Sequence, residues 1–181
     1  MSPEWPLETE RLVLRPYEED DLAAVHDLYG DEAVSRWLYG GPESLEESRA
    51  RLARHLARRA LTEESGLSAA VTLPDGAYVG DLALWYSSFE HRGAELAYVF
   101  LPRHQGNGYA TEAARAFLDW GFRAAGLHRV TARLEVRNAA SARVAEKLGM
   151  RHEATFVENE WVKGEWGSEA MYAILEREWP R

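Results

Sequence analysis

The sequence predicts an α/β protein of the mixed α+β kind, with one mixed, mostly antiparallel sheet carrying helices on both faces. Three observations carry this. Two strand-like runs flank Pro74-Asp75-Gly76, a hairpin signal. A third alternating run follows, and after residue 101 the pattern switches to helix, strand, helix, strand, strand. Where the two halves meet stands a glycine-rich turn, Gly106-Asn107-Gly108, between a strand and a helix.

The elements follow in order. Residues 11–17 read as a first strand with Leu12 and Leu14 on one face. Asp20 or Asp21 caps a helix that turns Leu22, Val25 and Leu28 to the core. Trp37-Leu38-Tyr39 forms an aromatic loop closed by Gly40-Gly41-Pro42. Ser44 and Glu47 make a capping-box pattern ahead of a helix with Leu45, Leu52 and Leu56 roughly on one side. Residues 67–73 and 78–86 form the hairpin, and residues 94–101 the third antiparallel strand. Residues 111–125 are helical, with a close-packing stripe of Ala110, Ala114, Phe117 and Gly121. Residues 129–136 alternate, placing Val130, Ala132, Leu134 and Val136 inward. Residues 139–148 are helical and end at Gly149, a C′ glycine. Residues 151–161 and 169–175 close the fold as a hairpin. Residues 1–181 read as a single domain, with residues 1–8 expected to be mobile.

Composition narrows the function. At 181 residues the chain can bury a core without metal or disulfide staples. It has no cysteine, which removes disulfides, thiolate metal sites and a cysteine nucleophile, and fits a reducing cytoplasm. The first residues carry no basic, apolar leader pattern, and no apolar run approaches the roughly 20 residues that span a bilayer, so no membrane partner is expected. A net charge of −9 argues against nucleic acid and toward cationic partners. The six histidines are scattered without ligand spacing, so no metal is expected.

The strongest local signal is the stretch from Arg103 to Glu112. Small residues at Gly106, Gly108 and Ala110 let the backbone come close to a ligand and expose successive N–H groups. With a helix N-terminus behind them, these amides form an anion site suited to a pyrophosphate. Arg103 can add a charge-assisted contact. A Gly-Lys-Ser/Thr string is missing, so this is no Walker loop, and the dinucleotide fingerprint lacks its first glycine.

Arg103-x-x-Gly106-x-Gly108 resembles the coenzyme A pyrophosphate signature of the Gcn5-related N-acetyltransferases (GNAT). The run from Gly106 to Ala113 is similar to its ribosomal-protein N-terminal acetyltransferase branch, as are residues 8–16, Asn138-x-x-Ser141, residues 146–150 and residues 169–179. The resemblance spans nearly the whole chain. It implies acetyl-CoA as co-substrate and a V-shaped gap between two splayed parallel strands, here the one ending at Phe100-Leu101 and the one at residues 129–136. Backbone groups near Phe100 and Leu101 would pair with the pantetheine arm, and the amides of Gln105, Gly106, Asn107, Gly108, Tyr109 and Ala110 would hold the pyrophosphate. It also implies an amine acceptor, first of all a protein or peptide N-terminus. Small amines, polyamines or antibiotics, a non-amine acceptor, and a non-catalytic CoA sensor stand as alternatives, and a homodimer is left open.

Amine acetylation moves one proton off the acceptor and one onto the departing thiolate, and needs a donor to the carbonyl oxygen. A backbone N–H near Leu101 is the expected donor. Asn138 caps the helix that follows, touches the cofactor, or does both. Relatives carry a tyrosine seven residues after this asparagine as the acid, and here Ala145 stands there. Ser141 shares a helical face with Ala145 and Leu148 and offers a hydroxyl to the same space, or is merely a first-turn residue. Glu95, on an otherwise apolar strand face with Ala97, Val99 and Leu101, is the candidate base; the alternative is an edge carboxylate paired with an arginine. Glu112 favours its helix N-terminus. Trp37, Tyr39 and Trp85 would wall the acceptor pocket, with Glu158, Glu160 and Trp161 near its rim.

Overall fold

Strands β1 (Leu7–Glu8), β2 (Val13–Arg15), β3 (Leu67–Thr72), β4 (Tyr78–Ser88), β5 (Gly93–Phe100), β6 (Arg129–Glu135), β7 (Arg151–Val162) and β8 (Glu165–Leu175) form one eight-stranded sheet. Their order is β1-β2-β3-β4-β5-β6-β8-β7. The structure, a computed structural model, describes residues 1–180. All neighbours run antiparallel except β5 and β6. Helices α1 (Leu22–Tyr29), α2 (Glu32–Ser35) and α3 (Leu45–Ala57) lie on one face, α4 (Tyr109–Arg123) and α5 (Ala139–Lys147) on the other.

Strand alternation divides the core in two. Leu82, Leu84, Leu96, Phe100, Val130 and Leu134 pack with Ala114, Phe117 and Leu118 of α4 and Ala145 of α5. On the opposite face Ala70, Val99 and Leu101 pack with Val25, Leu28 and Leu52 of α1 and α3. The Ser44–Glu47 capping box forms as the sequence predicts.

Several local expectations give way to longer-range contacts. Parts of residues 1–8 contact the body of the fold. The Met1 ammonium donates to Leu61 O (2.7 Å), the Trp5 ring lies 6.4 Å from Phe117, and β1 pairs with β2. Asp21 does not cap α1; its carboxylate takes Arg15 Nη1 and Nη2 at 2.8 and 2.7 Å. Leu45 and Val136, expected inside, are 48% and 41% exposed, because each sits at the end of its element where the covering layer stops.

Beneath α1 and α3 lies a buried polar knot. Asp81 is 3% exposed and accepts from the hydroxyls of Tyr17 (2.6 Å), Tyr29 (2.8 Å) and Tyr78 (3.3 Å). The His55 ring stacks on Tyr17 at 4.4 Å, and neither of its nitrogens has a hydrogen-bond partner among the described residues. Burial holds its pKa below the ordinary 6.5. The unfolded chain therefore binds this proton more readily, and stability is lost as pH falls below that value toward the folded pKa. Thermal melts over roughly pH 7 to 5 are expected to fall more steeply for the natural protein than for His55→Phe, which keeps the stack and removes the titration.

Candidate active site

β5 and β6 begin as neighbours and then part. Their parallel pairing covers only Gly93↔Arg129, Ala94↔Val130 and Glu95↔Thr131. Beyond that rung β5 stays with β4 as far as Phe100, and β6 stays with β8 as far as Glu135. A V-shaped gap opens, and a cavity of about 500 Å³ runs along it.

Hydrogen-bond alternation decides which amides face the gap. The Leu101 N–H donates to Val79 O (3.0 Å), so it points toward β4. Backbone groups of Leu96, Tyr98 and Phe100 consequently turn the other way, into the opening. The expectation of a carbonyl-oxygen donor at Leu101 is therefore corrected: that amide is committed to the hairpin, and those facing the gap belong to the residues before it.

At the wide end lies the glycine loop. Gly106 and Gly108 have φ of 81° and 82°, the left-handed region open to glycine at little cost. Gly108 is the N-cap of α4 and has no side chain to cap it, so the first-turn amides of Tyr109, Ala110 and Thr111 are left without a capping side chain. These residues and Gln105 border the cavity. The Gln105 amide group donates to Phe100 O (3.3 Å), fastening the loop to the strand end.

Two residues expected on the phosphates lie elsewhere. The Arg103 guanidinium donates to Asp27 of α1 (2.6 Å) on the exposed surface, and it does not line the cavity. Asn107 also stays outside it, its side chain donating to His104 O (3.2 Å) and Gln105 O (3.4 Å) within the loop. On the α5 side, near the glycine loop, Arg143 and Lys147 line the cavity instead. Their i, i+4 spacing was the available signal. Glu112 accepts from Thr9 Oγ1 (2.6 Å) and Arg11 Nε (2.8 Å), while Arg11 Nη1 donates to Asn107 O (3.0 Å). The chain start thus clamps the loop and α4 together.

On the α4–α5 side of the gap, Asn138 Oδ1 accepts from the Ser141 N–H (3.1 Å), a true N-cap, and both residues line the cavity. Ala145 is fully buried and does not reach it. A phenol reaches Ser141 from β5 instead: Tyr98 Oη donates to Ser141 O (2.9 Å), and burial pushes its pKa up, so it stays protonated. Sequence reasoning missed Tyr98, since nothing local marks it apart from a core aromatic.

The opposite face holds another set. Trp85 pairs with Glu95, and Glu95 with Thr131, so all three point away from α4 and α5, as do Arg133 and Glu169. Glu95 occupies the last rung before the strands part. Burial raises its carboxyl above the ordinary 4.5, Arg133 opposes that, and Glu169 adds to it. Trp37, Tyr39 and Trp85 all line this end of the cavity. The Tyr39 hydroxyl donates to Glu169, and Lys163 Nζ donates to Ser35 O (2.5 Å) and Leu38 O (2.7 Å), tying the aromatic loop to the β7–β8 hairpin. Glu160 lines the cavity, whereas Glu158 and Trp161 do not.

Edge amides along a gap, a helix start without a capping side chain and the cations Arg143 and Lys147 beside it form a donor set for a long, phosphate-bearing molecule. A half-buried carboxylate, Glu95, stands at the apex, on the other face. Among the described residues no cluster of His, Asp or Glu stands close enough to hold a metal ion, and no helix is long and apolar enough to cross a membrane.

Comparison with known proteins defines the class. Residues 11–151 match the family described as Acetyltransferase (GNAT) domain. The chain is 32% identical over 171 residues to the uncharacterized N-acetyltransferase YnaD of Bacillus subtilis, covering 94% of this chain and 97% of the relative. It is 26% identical to the spermidine N(1)-acetyltransferase of Escherichia coli, covering 92% and 87%. A GNAT-family acetyltransferase of Bacillus anthracis superposes with a TM-score of 0.85 at 33% identity, covering 96% and 99%. Mycobacterium smegmatis RimJ, solved with CoA-disulfide, gives 0.83 at 25% identity, covering 100% and 93%. A sheet that opens between two parallel strands beside a glycine loop thus belongs to an acetyltransferase fold. The chain is a member of the GNAT family of N-acetyltransferases.

A Cβ at Gly108 would meet only Arg11 Nη2 at 3.5 Å, an ordinary contact, so substitution there is opposed by backbone strain rather than by a clash. Gly108→Ala is expected to destabilise the fold by about 1–2 kcal/mol and to weaken calorimetric CoA binding. Gly126→Ala, at a φ of 68° with open space around it, should carry the strain and leave CoA affinity unchanged.

Proposed function

We propose that this protein moves an acetyl group from acetyl-coenzyme A to a primary amine by direct attack within a ternary complex. The observation that carries this reading is the position of Glu95. It sits on the last shared rung of β5 and β6, with the cavity passing from its face to that of Ser141.

Acetyl-CoA supplies an activated acyl group. The amides of Gln105, Gly106 and Gly108–Thr111 bind its pyrophosphate, with Arg143 and Lys147 as cations, and backbone groups of Leu96, Tyr98 and Phe100 hold the pantetheine arm in the gap. Glu95 takes one proton from the acceptor's ammonium, leaving a free amine. The amine nitrogen bonds to the thioester carbon, the C–S bond breaks, and the second N–H proton reaches the thiolate through the Ser141 hydroxyl. One proton per turnover then leaves Glu95 for water. Amides facing the gap stabilise the carbonyl oxygen as charge develops.

A small cationic amine is the acceptor the geometry favours. The carboxylates Glu95, Glu160 and Glu169 line that end of the cavity and suit a cation, and the likeness to a spermidine acetyltransferase supports it. A protein N-terminus is the second reading, supported by the ribosomal-branch motifs and the likeness to RimJ. Thiol release from acetyl-CoA with a panel of small amines and of peptides separates the two. Turnover confined to peptides would reverse their order. A cysteine-free chain drawing on acetyl-CoA fits the cytoplasm.

Glu95→Gln is expected to lower kcat by about a hundredfold or more. Because the base must be ionised, the natural rate should fall as pH drops through the raised carboxyl value, and that inflection should vanish in the variant. Ser141→Ala should lower kcat by about tenfold or more while KM for acetyl-CoA changes little; equal effects on both would remove Ser141 from the proton path.

A further inference from the structure

We infer that Arg133 is an internal stand-in for a second positive charge on the acceptor, and that Glu169 is the carboxylate that binds that charge. The inference rests on the amine-acetylation reading above and narrows its substrate to an amine carrying another cation beyond the one attacked.

Pairing in the sheet places the three groups together. Arg133 follows Thr131, the partner of Glu95, by one alternation, and Glu169 pairs with Glu135, the next residue on that face. Arg133 Nε lies 3.9 Å from Glu95 Oε2, and its Nη1 lies 3.8 Å from Glu169 Oε2. Arginine pairs elsewhere on this chain close to 2.6 or 2.7 Å, as Arg11–Glu112 and Arg15–Asp21 do. Arg133 therefore completes neither pair, and its side chain is 46% exposed.

Glu169 is the less solvated partner, with its side chain 9% exposed. Its close donors are both neutral: the Tyr39 hydroxyl, and Asn159 Nδ2 at 2.8 Å. Among the described residues its sole ion pair is the long one with Arg133. A carboxylate taken this far out of water is stabilised by a cation in contact, and this one has a cation nearby but not in contact. In this same position the guanidinium carbon already stands 5.7 Å from the centre of the Phe156 ring, an aromatic face that can hold it as it moves off Glu169. An ammonium of the acceptor that enters between Tyr39 and Trp85 can then take the place beside Glu169 while Arg133 leans onto Phe156. Meanwhile the attacked amine sits by Glu95 at the opening. An acceptor carboxylate bound by Arg133 is the opposite arrangement, and Glu95 and Glu169 on either side of the guanidinium repel it.

Steady-state kinetics with acetyl-CoA and a series of alkylamines, each beside its matching α,ω-diamine, test this. The natural protein is expected to prefer the diamine in kcat/KM by about tenfold or more. Glu169→Gln should erase that preference through KM, whereas Glu169→Asp should retain it. Arg133→Gln should lower the diamine KM relative to the monoamine KM by about threefold or more, because an internal competitor is gone, while its effect on Glu95 touches both amines alike. A merely structural arginine would not improve binding on removal. A diamine-to-monoamine KM ratio that rises or stays the same in Arg133→Gln overturns the inference, as does a preference that survives in a folded Glu169→Gln. If Glu169→Gln does not fold, as judged by its melt, the direction of the Arg133→Gln change decides. Mono- and diamines turned over alike by all variants would leave the activity standing and sink only this inference; no turnover of any amine or peptide would instead remove the activity reading itself.

Discussion

Two strands that begin as hydrogen-bonded neighbours cannot each follow a different partner and stay together. β5 is held along its length by β4, and β6 along its length by β8, so their common pairing ends at Glu95 and Thr131. The site follows from that parting. It brings the two faces of the sheet into communication at one place, and it leaves edge amides without a strand partner. A buried unpaired amide costs about 1–3 kcal/mol, so a fold keeps such an edge only where water or a ligand can satisfy it.

What surrounds the gap keeps it open and in register. Gln105 fastens the glycine loop to the end of β5, and Arg11, Thr9 and Glu112 tie that loop and the start of α4 to the N-terminal strands. Tyr98 ties β5 to the first turn of α5 across the opening. These contacts join segments far apart in sequence and fasten the glycine-loop end of the cavity to the sheet. The other end is fastened differently, through the aromatic loop and the β7–β8 hairpin by Lys163 and by Tyr39 on Glu169.

Whether a residue's role was legible depended on how far away its partner lay. Gly106 and Gly108 were readable because a positive φ is a local demand. The Ser44–Glu47 cap was readable because both partners lie within one turn. Arg103 was misread because it finds Asp27, 76 positions earlier, and a long flexible side chain on an exposed loop goes to the nearest carboxylate. The Leu101 amide was misread because hairpin register, not residue type, decides which way an N–H points. The start of the chain looked loose because Trp5 finds Phe117 only after folding.

The sequence by itself pointed to the superfamily, to the order of the elements except β1 and α2, to the glycine loop and to the candidacy of Glu95 and Ser141, because these rest on periodicity, local backbone geometry and short motifs. Tertiary structure decided what no local pattern encodes. It set where β5 leaves β6, which amides face the gap, and that Arg143 and Lys147 rather than Arg103 border it. It also joined Tyr39 to Glu169 across 130 positions of chain. The physical reason is that an acceptor site built from charge and hydrogen bonds depends on distances between separate elements, and those distances exist only once the two cores have packed on either side of the sheet.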